Sequence, residues 1–125
     1  MTVQFRHIML MVPDVMAAAK FYSEGLGLTV KTASPGWGEL ETGGTILALH
    51  YAENPHPAGA SPILSFVVDD LAATMAALEA LGAKLEGRVR EPSFGKVAAM
   101  RTPDGHWLSL LQPAPVGAAI GSGAH

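Results

Sequence analysis

The side chains best suited to chemistry in the N-terminal half of this sequence are two histidines and a glutamate: His7, Glu39 and His50. An imidazole or a carboxylate can act as a general base, and the three together could bind a divalent metal ion. A carboxylate on an inner sheet face must also meet water, a cation or a ligand. The plainer alternatives are a glutamate that lies at the rim or forms an ion pair with Lys96, and histidines that only fill space.

A predicted β-hairpin brings part of this set together. Gly43-Gly44 lies between two strand-like segments and is typical of a two-residue turn. Such a turn pairs Glu39 with Ala48 and Trp37 with His50, so these four side chains share one face of the sheet. His7 belongs to an earlier strand, in which the alternate apolar positions suit the helix-facing side.

The strand and helix at the start of the chain are repeated in its second half. Residues 6–14 lead into a helical segment that ends near Gly27, and residues 62–70 lead into one that ends at Gly82. Each copy predicts an apolar strand, an aspartate helix cap, an alanine-rich helix and a Leu-Gly end. The first copy has His7 where the second has an isoleucine.

A second hairpin, at the C-terminal end, is predicted around residues 102–105. A four-residue loop would pair Met100 with Trp107 and Lys96 with Leu111. The match of Trp37-Gly38 to Phe94-Gly95 in the repeat places Lys96 at the position of Glu39. Loop length and repeat therefore predict the same inner-facing row, which is Phe94, Lys96, Ala98 and Met100, with Ser65, Trp107 and Ser109 on the neighbouring strands.

Composition limits the function classes. The chain has 125 residues, of which 49% are hydrophobic, so one compact domain over residues 1–112 is expected, with a flexible tail at 113–125. Within it we predict modules at 4–51 and 62–112 and a linker at 52–61. Eight Lys and Arg against a net charge of −3 argue against nucleic-acid binding. The lack of a long apolar run or a signal peptide predicts a cytoplasmic protein that does not enter a membrane.

Four segments carry a family resemblance: His7 to Asp14, Phe21 to Leu28, Val67 to Leu71, and Thr102 to His106. Together they resemble the vicinal-oxygen-chelate superfamily, which includes glyoxalase I, extradiol dioxygenases, fosfomycin-resistance enzymes and bleomycin-resistance proteins. The resemblance implies an α+β fold. Its tandem βαβββ repeats form a curled mixed eight-stranded sheet, a cup with the helices outside. It also implies a ligand inside the cup and a homodimer.

Metal-using members of that superfamily take one ligand from each of four strands. The corresponding positions here are His7, Ala48, Ile63 and Ser109. Alanine and isoleucine cannot coordinate a metal ion, and serine is a poor ligand for a divalent ion. The usual metal site is therefore predicted to be missing, and no cofactor is expected.

The leading hypothesis is a metal-free small-molecule binding protein of the glyoxalase/bleomycin-resistance type that holds an aromatic or amphipathic ligand in the cup. Its predicted binding residues are His7, Trp37, Glu39, His50, Ser65, Phe94, Lys96, Trp107 and Ser109. The three aromatic residues could simply belong to the core, but on an inner face they suit the walls of a ligand site.

Two enzyme hypotheses stay open. One is a metal-independent isomerase, epimerase or lyase in which Glu39 or a histidine is the base and Lys96 stabilises negative charge. The other is a divalent-metal enzyme with relocated ligands His7, Glu39 and His50. Neither the catalytic residues nor the substrate can be assigned from the sequence.

Overall fold

The computed structural model of the protein describes residue 2 and residues 4–115. These residues form two compact units, the first ending at His56 and the second beginning at Pro57. The division falls inside the predicted linker, and the single domain over residues 1–112 stays a prediction. Of the predicted tail, residues 116–125 lie outside the described residues.

The first unit is a βαβββ module. In chain order it contains β1 (His7–Val12), α1 (Val15–Leu26), β2 (Thr29–Ala33), β3 (Trp37–Glu41) and β4 (Ile46–Tyr51). Its four-stranded sheet has the order β1-β4-β3-β2, with β1 parallel to β4 and the other pairs antiparallel. The predicted pairs Trp37–His50 and Glu39–Ala48 are confirmed.

The second unit repeats this module. It contains β5 (Ile63–Val67), α2 (Leu71–Ala80), β6 (Lys84–Arg90), β7 (Gly95–Arg101) and β8 (Trp107–Pro113). The strand order is β5-β8-β7-β6, with β5 parallel to β8. The predicted α+β class with tandem βαβββ repeats is confirmed, and its eight strands lie in two four-stranded mixed sheets.

Both helices begin at the predicted aspartate caps. Asp14 Oδ1 accepts a hydrogen bond from the Ala17 amide at 3.0 Å, and Asp70 Oδ1 accepts one from the Ala73 amide at 3.0 Å. Each bond satisfies an amide that has no partner within the helix. Gly27 ends α1 in the left-handed conformation, φ 73°.

One face of each sheet supplies the core. In the first unit the buried sheet residues Leu10, Val12, Leu40, Leu47 and Leu49 alternate with the row that carries Trp37 and Glu39, and α1 buries Val15, Ala18, Ala19, Phe21 and Tyr22. In the second unit Leu64, Ala98, Met100, Leu108 and Leu110 are buried, as are Leu71 and Leu78 of α2. Because side chains alternate along a strand, the opposite face of each sheet is left for the candidate site.

The predicted register of the second hairpin is wrong by one residue. Thr102 N donates to the His106 carbonyl at 2.9 Å, and His106 N donates to Thr102 Oγ1 at 3.0 Å. The loop therefore contains three residues, ending in Gly105 at φ 89°. A three-residue loop with a left-handed glycine is a common hairpin class. It pairs Arg101, rather than Met100, with Trp107.

The predicted repeat match is wrong at the same strand. Ala99 pairs with Ser109 as Glu39 pairs with Ala48, so Ala99 and not Lys96 occupies the position equivalent to Glu39. The slip sends one predicted inner row to the helix side of the sheet: Ala98 and Met100 are buried in the core. The row on the opposite face is Val97, Ala99 and Arg101.

Candidate ligand-binding site

An aromatic cluster lies on the helix-free face of the first unit. The Trp37 ring centre is 5.5 Å from that of His7 and 5.9 Å from that of His50, both in edge-to-face geometry. The indole thus makes an edge contact with each of the two imidazoles. Strands β1, β3 and β4 position these three rings through the confirmed register.

Glu39 is held by two partners within this cluster. Trp37 Nε1 donates to Glu39 Oε2 at 2.8 Å, and Lys31 Nζ lies 3.9 Å from Glu39 Oε1. The Glu39 side chain is only 18% exposed, whereas Lys31 is 53% exposed. The ion-pair alternative for Glu39 is therefore correct in kind, but its cation is Lys31 of β2 rather than Lys96. The carboxylate fixes the orientation of the indole.

The donors described in the first unit are not arranged as a metal site. Among the described residues no group of three or more His, Asp or Glu side chains could hold a metal ion. The Nδ1 of His50 lies 2.7 Å from the Tyr51 carbonyl, and a carbonyl can only accept, so that nitrogen carries the hydrogen. The proposed set His7, Glu39 and His50 is thus not assembled. The positions corresponding to superfamily ligands hold Ala48, Ile63 and Ser109 besides His7, which do not fit a divalent ion.

An open pocket of about 800 Å³ lies on the corresponding face of the second unit. This volume is in the range that suits a drug-sized ligand. Four predicted site residues line it: Ser65, Phe94, Trp107 and Ser109. The other lining residues are Ile63, Val97, Ala99 and Leu111 along the sheet, and Arg88, Arg90, Glu91 and Pro92 at its β6 side.

Trp107 is held in place by an arginine that the sequence did not single out. The Arg101 guanidinium lies 4.4 Å from the centre of the Trp107 ring. Its Nη1 donates to the Gly59 carbonyl at 2.7 Å and to the Gly105 carbonyl at 3.0 Å, and its Nε is 3.7 Å from Glu86 Oε1. A stacked guanidinium with this many partners restricts the motion of the indole. The correct hairpin register would have revealed it.

Lys96 does not join the Trp107 pocket. It lines a separate cavity of about 560 Å³ on the α2 side of the sheet, together with residues of that helix such as Leu71, Met75 and Glu79. The physical reason is the one-residue register change, since neighbouring residues on a strand point to opposite faces. The predicted placement of Lys96 beside Trp107 is wrong.

Two arginines of the pocket were missed because a β-bulge brings them there. Glu86 pairs with Ala99 and Arg90 with Val97, so four residue steps on β6 oppose two on β7. Gly87 lies in this irregularity at φ 75°, a backbone conformation that other residues rarely adopt. Arg88 and Arg90 follow it and line the pocket. A glycine inside a strand pattern was the only available signal.

The comparisons with known proteins cover most of the described chain. A family model described as the Glyoxalase/Bleomycin resistance protein/Dioxygenase superfamily matches residues 4–110. The chain belongs to this superfamily. A comparison with curated proteins returned no match.

Solved structures of the glyoxalase/bleomycin-resistance type share the fold. A glyoxalase-related enzyme from Fulvimarina pelagi has a TM-score of 0.75 at 23% identity and covers 97% of this chain and 99% of that one. A glyoxalase/bleomycin resistance protein/dioxygenase family enzyme from Burkholderia phytofirmans has a TM-score of 0.72 at 19% identity, covering 83% and 94%. At these identities the likeness establishes the fold alone. Neither helix within residues 4–115 has the length and apolarity that crossing a membrane requires.

Proposed function

We propose that this member of the glyoxalase/bleomycin-resistance superfamily is a metal-free small-molecule binding protein. Its ligand is aromatic or amphipathic and lies in the pocket lined by Trp107 and Phe94. The single observation that carries the proposal is that open pocket of about 800 Å³, with an indole held by Arg101 on one of its walls. Because the indole is already held in place, little of its conformational entropy is lost when a ligand binds.

Binding is favoured over catalysis by the chemistry of the groups present. The lining of the pocket contains two hydroxyls, two guanidinium groups and one carboxylate, but no imidazole. Glu39, the base considered in the enzyme hypotheses, already accepts from Trp37 and faces Lys31. These two contacts suit a role in orienting Trp37, and Glu39 is not among the residues that line the Trp107 pocket. The binding roles of His7, Trp37, Glu39 and His50 stay predictions.

Calorimetric titration with naphthylmethanol, a neutral aromatic probe, tests the proposal. Trp107→Ala should weaken binding by about 1–3 kcal/mol, the usual scale for a contacting aromatic. Val89→Ala is a matched control, since Val89 is an exposed apolar residue of β6 outside this pocket. Unchanged affinity in Trp107→Ala, or no binding to the wild type, would reject the pocket as the ligand site.

The metal-free part of the proposal has a separate test. A tightly bound ion stabilises the folded protein by RT ln(1 + [L]/Kd), so its removal lowers the melting temperature. We expect the melting temperature to be unchanged after treatment with a chelator. A fall of several degrees that one particular divalent ion reverses would instead favour a metal enzyme.

We also propose a homodimer. The edge strands β1 and β5 expose apolar side chains, among them Met9 at 46% and Val67 at 70%. Exposed apolar residues on an edge strand are a liability unless a partner covers them. Light scattering at tens of micromolar protein should give twice the chain mass of 13.0 kDa. A monomer mass would contradict the proposal.

A further inference from the structure

The charged groups of the Trp107 pocket are unevenly distributed. The lining residues include two guanidinium groups, those of Arg88 and Arg90, but only one carboxylate, that of Glu91. The chain as a whole carries a net charge of −3 and has only eight Lys and Arg. Two of these eight residues therefore lie at one pocket of an otherwise acidic protein. The local field there favours an anion.

Neither arginine is committed to a partner within the described part of the chain. Arg88 and Arg90 make no ion pair with any described residue. Arg101, on the adjacent strand, is by contrast bound to two carbonyls and lies near Glu86. The donors of Arg88 and Arg90 are thus available for a ligand, while Arg101 donates to two carbonyls and stacks on Trp107.

The backbone positions both arginines at the same pocket. The bulge around Gly87 interrupts regular pairing between Glu86 and Arg90. Bulges bend a strand and re-aim its side chains, and they are common beside functional sites. Arg88 and Arg90 are two residues apart, both are exposed, and both border the apolar surface that contains Trp107 and Phe94.

Resting on the proposed function, we propose that the pocket selects aromatic carboxylates. The aromatic ring of the ligand packs against Trp107 and Phe94, and its carboxylate pairs with the guanidinium groups of Arg88 and Arg90. A guanidinium matches a carboxylate with two parallel hydrogen bonds, which gives direction as well as charge. An aromatic cation would meet two like charges at the same place.

A series of three naphthalene derivatives tests this selectivity: naphthoate, naphthylmethanol and naphthylmethylammonium. They share a ring system and differ in the charge of one substituent. Calorimetry at low salt should show naphthoate binding about 10-fold tighter than the alcohol, the scale of a hydrogen bond to a charged group. The preference should shrink as salt is added, because the arginines are exposed.

The double variant Arg88→Gln/Arg90→Gln should lose the preference for naphthoate and keep its affinity for naphthylmethanol. Lys84→Gln is the matched control, since it removes one positive charge from the same strand outside the pocket. Both variants change exposed side chains, and equal melting temperatures show that they fold.

The outcomes separate the two proposals. Equal binding of acid and alcohol, tightest binding of the cation, or an unchanged preference in the double variant overturns the carboxylate inference and leaves the binding pocket standing. Failure of all three compounds to bind wild-type protein rejects the proposed function itself, and the inference with it.

Discussion

The guanidinium of Arg101 lies 4.4 Å from the centre of the Trp107 ring. One residue is the last of β7 and the other the first of β8, and the two are paired across the hairpin. Two loop carbonyls, those of Gly59 and Gly105, hold the guanidinium in that position. Trp107, which forms one wall of the candidate pocket, is therefore held in place by Arg101.

Replacing Arg101 by Gln should destabilise the protein and weaken ligand binding together. The change removes the stacking on Trp107 and two hydrogen bonds to carbonyls, and we expect a loss of about 1–2 kcal/mol in the free energy of unfolding. Urea denaturation measures it. Arg88→Gln, at an exposed position, should stay within about 0.5 kcal/mol of wild type. Equal stability of the two variants would mean that the contacts of Arg101 contribute little.

Gly95→Ala should be strongly destabilising. A Cβ at this position would lie 2.1 Å from the Gln112 carbonyl oxygen, and the backbone has φ 150°. A strained backbone costs about 1–3 kcal/mol, and the clash with main chain adds to that cost. Thermal denaturation checks the result. Gly36→Ala is the control, because a Cβ there meets nothing within 4 Å. A melting temperature for Gly95→Ala close to that of Gly36→Ala would contradict this expectation.

Glu39→Gln separates the binding and enzyme hypotheses. If Glu39 only orients Trp37, affinity for ligands of the Trp107 pocket should be unchanged, and stability should fall by about 1 kcal/mol with the loss of a charge-assisted hydrogen bond. If Glu39 is a general base, turnover of a substrate should fall about 100-fold or more with little change in binding. Lys31→Gln is the companion variant, since it removes only the distant ion pair. A 100-fold loss of turnover in Glu39→Gln alone would sink the pure binding role.

Stability should fall as the pH is lowered below neutrality because of His106. Its side chain is buried, with Nδ1 lacking a hydrogen-bond partner among the described residues. Burial lowers the pKa of His106 from its usual 6.5, and the charge of Asp104 partly opposes that shift. The folded state thus favours the neutral ring. The contribution of the neutral ring to the free energy of unfolding is fully present above pH 6.5. It is lost as the pH falls through the lowered pKa.

Urea denaturation at pH 5.5 and 7.5 measures this effect. His106→Gln should reduce the difference in unfolding free energy between the two pH values, because it removes the titrating ring. His56→Gln, at an exposed loop position, should keep the wild-type difference. The same pH dependence in all three proteins would show that other groups cause it.

Helix caps and turns explain which parts of the fold the sequence predicts well. Asp14 and Asp70 cap their helices as expected, since an aspartate side chain before an apolar helical pattern can accept a hydrogen bond from an amide of the first turn. Gly43-Gly44 sets the register of the first hairpin because two-residue turns leave a single pairing. The predicted pairs Trp37–His50 and Glu39–Ala48 are therefore correct.

The second hairpin shows why the rest escaped prediction. The residues Thr102 to Gly105 are compatible with a three-residue or a four-residue loop, and the choice depends on hydrogen bonds between Thr102 and His106. Composition does not encode that choice. One residue of difference sends Lys96 to the α2 side and brings Arg101 against the Trp107 ring. The bulge that places Arg88 and Arg90 at the pocket likewise depends on how β6 pairs with β7.

The two repeats also differ in length, and the difference lies around the bulged strand β6. Gly82 stands 55 positions after its counterpart Gly27, whereas Ala99 stands 60 positions after Glu39, so the second copy contains five more residues between these points. This longer stretch contains Arg88, Arg90 and Phe94. In the first unit, the side chains of Trp37, Glu39 and Lys31 satisfy one another. The two copies of the module thus present different surfaces: in the first these three side chains bind one another, and in the second the guanidinium groups of Arg88 and Arg90 border an open pocket.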